Sequence, residues 1–248
     1  MKRTKKFIAT LFTMLLACLC MLFSGCQFSL LPPKNPEDTV AGVYKTKSVT
    51  FTQGETTQEV HVGETVDGVT LTEDYMKIIL TEDGYFVMES TDDGERFATK
   101  GNWTKSEEEK FLLSVHDQTI TLDYTGSTIT FQPTDYHKII LEKKAVTPSA
   151  TQAQAMGCYQ LKSITSSSGE AIDISADYYG RYDLSFILTE DGCGYIFASY
   201  NGFPCDLAQA ENGKLSINVS NSAISLIGEC DGTKITATLD GKTYVFEK

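Results

Sequence analysis

The residues that could do chemistry here are mostly carboxylates, and two groups of them are written identically. "ILTEDG" occurs at Ile79–Gly84 and again at Ile187–Gly192. A calcium loop draws several carboxylate and carbonyl oxygens from staggered positions of one loop, and "TEDG" supplies two carboxylates. Asp-Gly between apolar runs is instead a strong hairpin signal, because glycine takes positive φ at little steric cost. Both hexapeptides therefore read as turns, with Glu82, Asp83, Glu190 and Asp191 solvated at their tips. A glycosidase-type carboxyl pair would have to come from acids that otherwise sit in turns such as Asp92-Asp93, or on the solvated face "SEEEK", Ser106–Lys110. The histidines His61, His116 and His137 lie far apart, none with a neighbour at metal-ligand spacing. His61 falls out of phase with Val60 and Val62 and points to solvent. G-x-S-x-G, H-E-x-x-H and Walker patterns are missing. The sequence thus assigns no catalytic residue, no metal and no cofactor.

Four cysteines, Cys158, Cys193, Cys205 and Cys230, fall in the second half of the chain and allow three disulfide pairings. The aligned positions of the first half hold Val43 and Tyr85 where the second holds Cys158 and Cys193, so the fold does not require the thiols. If Cys193 and Cys205 start neighbouring strands, they stand at opposite ends of a hairpin. That is about 20 Å apart, against a disulfide limit near 7 Å. A zinc site fits poorly, since this half has neither C-x-x-C nor a histidine.

The chain opens "MKRTKKFIATLFTMLLACLCMLFSGC", with Lys2, Arg3, Lys5 and Lys6 ahead of an uncharged run of 17 residues, Phe7 to Phe23. That is the pattern of a secretory signal, and the run is shorter than the roughly 20 residues that span a bilayer comfortably. Its end, "LFSGC", resembles the lipobox of bacterial lipoproteins, with Phe23 where Leu or Val is usual. The resemblance implies a leader over 1–25, lipidation of Cys26, and a chain anchored outside the cytoplasm on a bacterial membrane or cell surface. The bilayer is then its first partner, and two or more acyl chains, at about 0.8 kcal/mol per buried methylene, hold stably. Loss of 1–25 removes four positive charges and no negative ones, taking the formal charge from −12 to −16. Phosphate backbones repel such a chain, which excludes a nucleic-acid function.

The elements that must position these groups are written twice. "GVYKTKSVT" from Gly42 aligns with "GCYQLKSIT" from Gly157, the hexapeptides align with each other, and "KIILEK" ending at Lys143 aligns with "YVFEK" ending at Lys248. The offsets shrink from 115 to 108 to 105 while the order is kept. This is duplication of a domain-sized unit, over 42–143 and 157–248. The segment 144–156, including "KAVTPSATQAQA", reads as a linker. The segment 26–41, with Pro32, Pro33 and Pro36, reads as an extended stalk.

Within each unit the apolar spacing is two. Met76, Ile78 and Leu80 alternate with Lys77 and Ile79, and Phe186 and Leu188 alternate with Ser185 and Ile187. Alternation rich in Thr, Val, Ile, Tyr and Phe marks half-buried antiparallel strands, and "EDG", "DDG", "ENG", "CDG" and "LDG" separate them. Eight or nine short strands per unit are expected. Only Ala171–Tyr179 and Lys105–Lys110 hint at helical spacing, so the chain reads as all-β.

Gly42 and Tyr44, Gly157 and Tyr159, "GNW" at Gly101–Trp103 and the closing strands "YHKIILEK" and "KTYVFEK" are similar to lipocalin-like domains of secreted bacterial lipoproteins. The resemblance implies two tandem, small, antiparallel up-and-down β-barrels. An eight-stranded barrel is just wide enough to be filled by side chains or to hold one small ligand. Inward positions would then be Tyr44, Ile78, Leu80 and Trp103 in the first unit, and Tyr159, Leu161, Phe186 and Leu188 in the second. As a pocket they would take a small apolar or amphipathic ligand. Tyr178, Tyr179, Arg181 and Tyr182, in "ADYYGRYD", combine side chains enriched at protein contacts. The expected function is a non-catalytic binding module for such a ligand or for an envelope protein. The alternatives are a spacer or interaction scaffold with solid barrels and, behind it, a carboxylate-dependent hydrolase.

Overall fold

A computed structural model describes residues 40–92, 95–107, 109–174, 184–210, 213–220 and 225–248. The leader, Cys26 and the stalk up to residue 39 lie outside the described residues, as do Tyr178, Tyr179, Arg181 and Tyr182.

The fold is all-β. Its first half runs through β1 (Gly42–Gln53), β2 (Thr56–His61), β3 (Thr65–Val66), β4 (Val69–Thr70), β5 (Met76–Leu80), β6 (Tyr85–Asp92), β7 (Glu95–Glu107), β8 (Lys110–Val115), β9 (Gln118–Thr125), β10 (Thr128–Thr134) and β11 (His137–Lys144). The 12-residue β1 pairs with β5 through Gly42–Lys45, with β2 through Ser48–Gln53, and with β11 along its other edge. From β5 each strand pairs antiparallel with the next as far as β11. The return of β11 to β1 closes an eight-stranded antiparallel barrel of β1 and β5 to β11. The second half comprises β12 (Gly157–Thr165), β13 (Ala171–Ile172), β14 (Leu184–Leu188), β15 (Gly194–Ala198), β16 (Asn201–Gln209), β17 (Leu215–Ser220), β18 (Ser225–Cys230), β19 (Lys234–Leu239) and β20 (Lys242–Glu247). Here β12 pairs with β14, each strand from β14 pairs with the next, and β20 lies beside β12.

The alternation expected from the sequence sorts the side chains. Tyr44, Ile78, Leu80, Phe86, Phe111 and Leu113 are fully buried and belong to one cluster inside the barrel. Each such side chain contributes roughly 1.5–3 kcal/mol on burial. Trp103 closes this core, its ring edge-on to Phe111 and its Nε1 donating to the Thr81 carbonyl at 2.9 Å. A second cluster gathers Tyr159, Phe186, Leu188, Ile217 and Phe246.

The repeated Gly-x-Tyr has a packing reason. The Tyr44 hydroxyl donates to the Val40 carbonyl at 2.6 Å, and the Tyr159 hydroxyl donates to the Ala155 carbonyl at the same distance. Gly42 and Gly157 adopt φ of 145° and 134°, and beside them lie the side chains of Lys143 and Lys248. The two ammoniums stand 6.0 and 5.3 Å from the Tyr44 and Tyr159 ring centres, within cation–π reach. A Cβ at Gly42 would meet Lys143 Cε at 2.5 Å, so the glycine, the tyrosine and the closing lysine form one device, used twice.

Three expectations are corrected. The segment 144–156 contains a helix, α1 (Ala150–Ala155), opened by a capping box: Ser149 Oγ accepts from Gln152 N, and Gln152 Oε1 accepts from Ser149 N. The signal was present as S-x-x-Q, and buried Ala155 fastens the helix to the second core. Lys105 and Lys110 lie in strands, so the hint of helix between them is misplaced; of Ala171–Tyr179, Ala171–Ile172 is a strand and 175–179 lie outside the described residues. Third, β5 is not half-buried but buried at all five positions.

His137 faces Phe51 across the β1–β11 pair and stacks on it, ring centres 5.0 Å apart and inclined by 19°. It is 8% exposed, and its Nε2 is buried with no hydrogen-bond partner among the described residues. Burial lowers its pKa below the ordinary 6.5. As pH falls the unfolded chain takes up the proton first. Stability is therefore full above about 6.5 and declines toward the folded pKa. His137→Phe should flatten the loss of urea stability between about pH 7 and about pH 5, and a variant that keeps the wild-type slope would disprove this.

Candidate functional site

The five buried positions of β5 are explained by what covers its outer face. Met76, Ile78 and Leu80 point into the barrel, while Lys77 and Ile79 point away from it, into a seam between the two halves. Val43, Ile79, Val87 and Ala98 from the first half pack there with Ile187, Tyr195 and Phe197 from the second, flanked by Val146, Cys158 and Cys193. Backbone pairing crosses the seam: Ala98 opposes Gly202 and Thr99 opposes Asn201, which joins the halves in one 18-stranded sheet. Gly202 has no room for a side chain, since a Cβ would meet the Ile196 carbonyl and the Phe197 ring at 2.4 Å.

One end of the seam is ionic. Lys77 Nζ lies 2.8 Å from Asp191 and 3.0 Å from Glu89, with all three side chains at most 7% exposed. Arg96 Nε donates to the other Glu89 oxygen, and the Tyr195 hydroxyl donates to Glu89 at 2.5 Å. Cys193 Sγ stands 3.5 Å from Lys77 Nζ, and the ammonium lies 5.5 Å from the Tyr195 ring centre. Burial by itself works against the Lys77 charge, but Asp191 and Glu89 outweigh it and raise its pKa. Burial likewise pushes both carboxyls up, and their partners, Arg96 and Lys77 for Glu89 and Lys77 for Asp191, pull them below the ordinary range. The cluster is thus fully ionised and internally neutralised. Burial raises Tyr195, and burial followed by Asp191 raises Cys193, so neither is poised as a nucleophile.

The twin hexapeptides show how surroundings override sequence. Both make the same turn: Thr81 N donates to the Tyr85 carbonyl and Thr189 N to the Cys193 carbonyl, with Thr81 Oγ on Asp83 and Thr189 Oγ on Asp191. Gly84 and Gly192 take φ of 87° and 75°. Yet only Asp83 stays exposed; Asp191, expected to be solvated, is the buried partner of Lys77. The tips also approach each other, and burial followed by Glu82 raises the Glu190 carboxyl.

Of the residues expected to line a pocket, Tyr44, Ile78, Leu80 and Trp103 lie in the first core cluster, and Tyr159, Phe186 and Leu188 in the second, none more than 4% exposed. Leu161 is partly buried against the second cluster. An outer recess lies elsewhere: about 340 Å³ bordered by Phe51, Gln53, Thr56 and Gln58, at the far end of β1 from Gly42. No disulfide joins Cys158, Cys193, Cys205 and Cys230 to one another. The expected 20 Å between Cys193 and Cys205 is corrected, because β16 starts at Asn201 and Cys205 lies within it, opposite Gly194. Cys205 belongs to the second core and Cys193 to the seam, so their side chains serve different faces. Among the described residues, no three His, Cys, Asp or Glu side chains gather as metal ligands.

Sequence reading missed Lys77, Glu89 and Arg96. A signal existed: the outward positions Ile79, Ile187, Val87 and Tyr195 are large and apolar where a lone barrel would be polar. No protein-family model, curated protein or solved structure matches the chain.

Removing one partner of a buried ion pair costs about 3–5 kcal/mol. Lys77→Met, which strands Asp191 and leaves Glu89 to Arg96 and Tyr195, should lower the urea-unfolding free energy by that amount, whereas Asp83→Asn at the exposed twin should cost under about 1 kcal/mol. Equal losses would remove the seam from the account.

Proposed function

We propose that this chain is a membrane-anchored, extracytoplasmic lipoprotein whose folded part is a non-catalytic interaction scaffold: two lipocalin-like barrels in tandem, solid inside and packed rigidly together. The observation that carries it is the filled interior of the closed barrel, where Tyr44, Phe86, Phe111, Leu113, Leu122 and Ile129 are 0% exposed. A ligand pocket of drug-molecule size spans roughly 300–1,000 Å³, and side chains packed to that degree favour a filled interior over such a pocket. Reading the second half as a second barrel rests on its repeated strand order and on the pairing of β20 with β12. The location rests on the leader and lipobox pattern ending at Cys26. The seam supports rigidity, since a sheet, an apolar patch and an ionic cluster all cross it.

A second reading, a carrier of one small apolar or amphipathic molecule, is favoured only by the recess beside Phe51. Its border of Gln53, Thr56 and Gln58 is polar, which suits a headgroup or an amide better than a hydrocarbon.

Native mass spectrometry of the lipoprotein purified from its own host separates the two. The scaffold should show the chain plus its acyl groups and nothing else. A further stoichiometric small molecule, lost on Phe51→Ala, would establish the carrier instead. Cys26→Ser should move the protein from the membrane to the soluble fraction, and retention on the membrane would defeat the anchor.

A further inference from the structure

We propose that the seam is a two-fold dimer interface carried inside one chain, its two copies diverged in charge so that each half pairs with the other kind and not with its own. Equivalent positions follow from the strand registers. Val43 and Cys158 face Ile79 and Ile187, which face Val87 and Tyr195. Continuing across, Glu89 and Ala98 of the first half correspond to Phe197 and Gly202 of the second, and Lys77 and Lys100 correspond to Ser185 and Pro204. The residues that cross-pair, Ala98 and Gly202, are therefore each other's equivalents, and Thr99 pairs with Asn201, the neighbour on the opposite side. Antiparallel strands pair that way only about a two-fold axis through Ala98 and Gly202. The apolar patch repeats the rule, since Val43, Ile79 and Val87 meet Cys158, Ile187 and Tyr195, the same positions of the other copy. Isologous contacts of this kind build two-fold dimers.

The charges break the symmetry in a directed way. Lys77 reaches Asp191 of the other half, whereas its equivalent Ser185 receives Lys100 Nζ on its hydroxyl at 2.5 Å. Two first halves placed on this axis would set Lys100 of each against Lys77 of the other. Two second halves would bury each Asp191 with Ser185 opposite and no lysine. Both like pairings carry a repulsive or uncompensated charge at these positions, whereas the unlike pairing sets Lys77 on Asp191 and Lys100 on the Ser185 hydroxyl, which is how specificity against wrong partners is built.

The proposal is independent of the scaffold reading and is tested on the whole chain. A protease site inserted between Thr147 and Pro148 lets the folded protein be cut. After unfolding and refolding, native mass spectrometry should show one-to-one complexes of unlike fragments. Like-with-like dimers, or separate monomers, would overturn the proposal. Ser185→Lys, which confronts Lys100, should weaken the cut complex by about a hundredfold or more. Adding Lys100→Ser should restore it by giving the introduced ammonium the Asp83 carboxylate as partner, and adding Asp83→Asn to that pair should abolish the rescue. A double variant no tighter than Ser185→Lys alone would refute the two-fold equivalence.

Discussion

Residues Met76–Leu80 have no face that water can wet. The side facing the barrel carries Met76, Ile78 and Leu80, and the side facing away carries Ile79 and a lysine whose ammonium is held by two carboxylates. A barrel strand normally needs one solvated face, and β5 has instead been placed between two cores. The rest of the arrangement follows from that. The second half must lie against β5 and β6, the chain must bring β16 to β7, and Asp191 must leave its turn's solvent side to meet Lys77. An ammonium buried without partners would lose its charge or unfold its surroundings, so the ion cluster fixes how the halves meet as well as that they meet.

Two cores and one seam divide the work. The interior of the barrel is aromatic and aliphatic, with Tyr44, Phe86, Phe111 and Leu122 fully buried in it. The seam is smaller and mixed, with an apolar patch centred on Ile79 and Ile187 and a polar end centred on Lys77. Buried ionic groups are weak contributors of net stability but strong enforcers of geometry. The two halves of the chain are thus joined in a defined orientation by a shared sheet, an apolar patch and an ion cluster.

Much of the barrel was legible in the sequence because it depends on short-range rules. Alternation at Ile78 and Leu80, glycine after Asp83 and Asp191, and the repeated Gly-x-Tyr each act within a few residues, and the observed turns and pairings obey them. The capping box at Ser149 was equally local and was passed over because Pro148 and the polar composition suggested a linker. Lys77 and Asp191 are different. Nothing within "YMKII" or "TEDG" distinguishes the buried aspartate from its exposed twin at Asp83. Their fates are decided by a partner more than a hundred residues away in sequence. Cys205 was misplaced for a similar reason: its strand begins four residues earlier, at Asn201, because the hairpin turns at Ser199 with a positive φ of 57° that the residue type does not announce.

The start of the barrel also has a mechanical side. Val40 is buried, its carbonyl is gripped by the Tyr44 hydroxyl, and β1 is then flanked by β11 on one edge and by β5 followed by β2 on the other. A tug arriving from the residues ahead of Val40 runs along the axis of β1, so its ladder bonds on both edges resist together in shear and do not peel apart one after another. The first strand is therefore suited to carry tension.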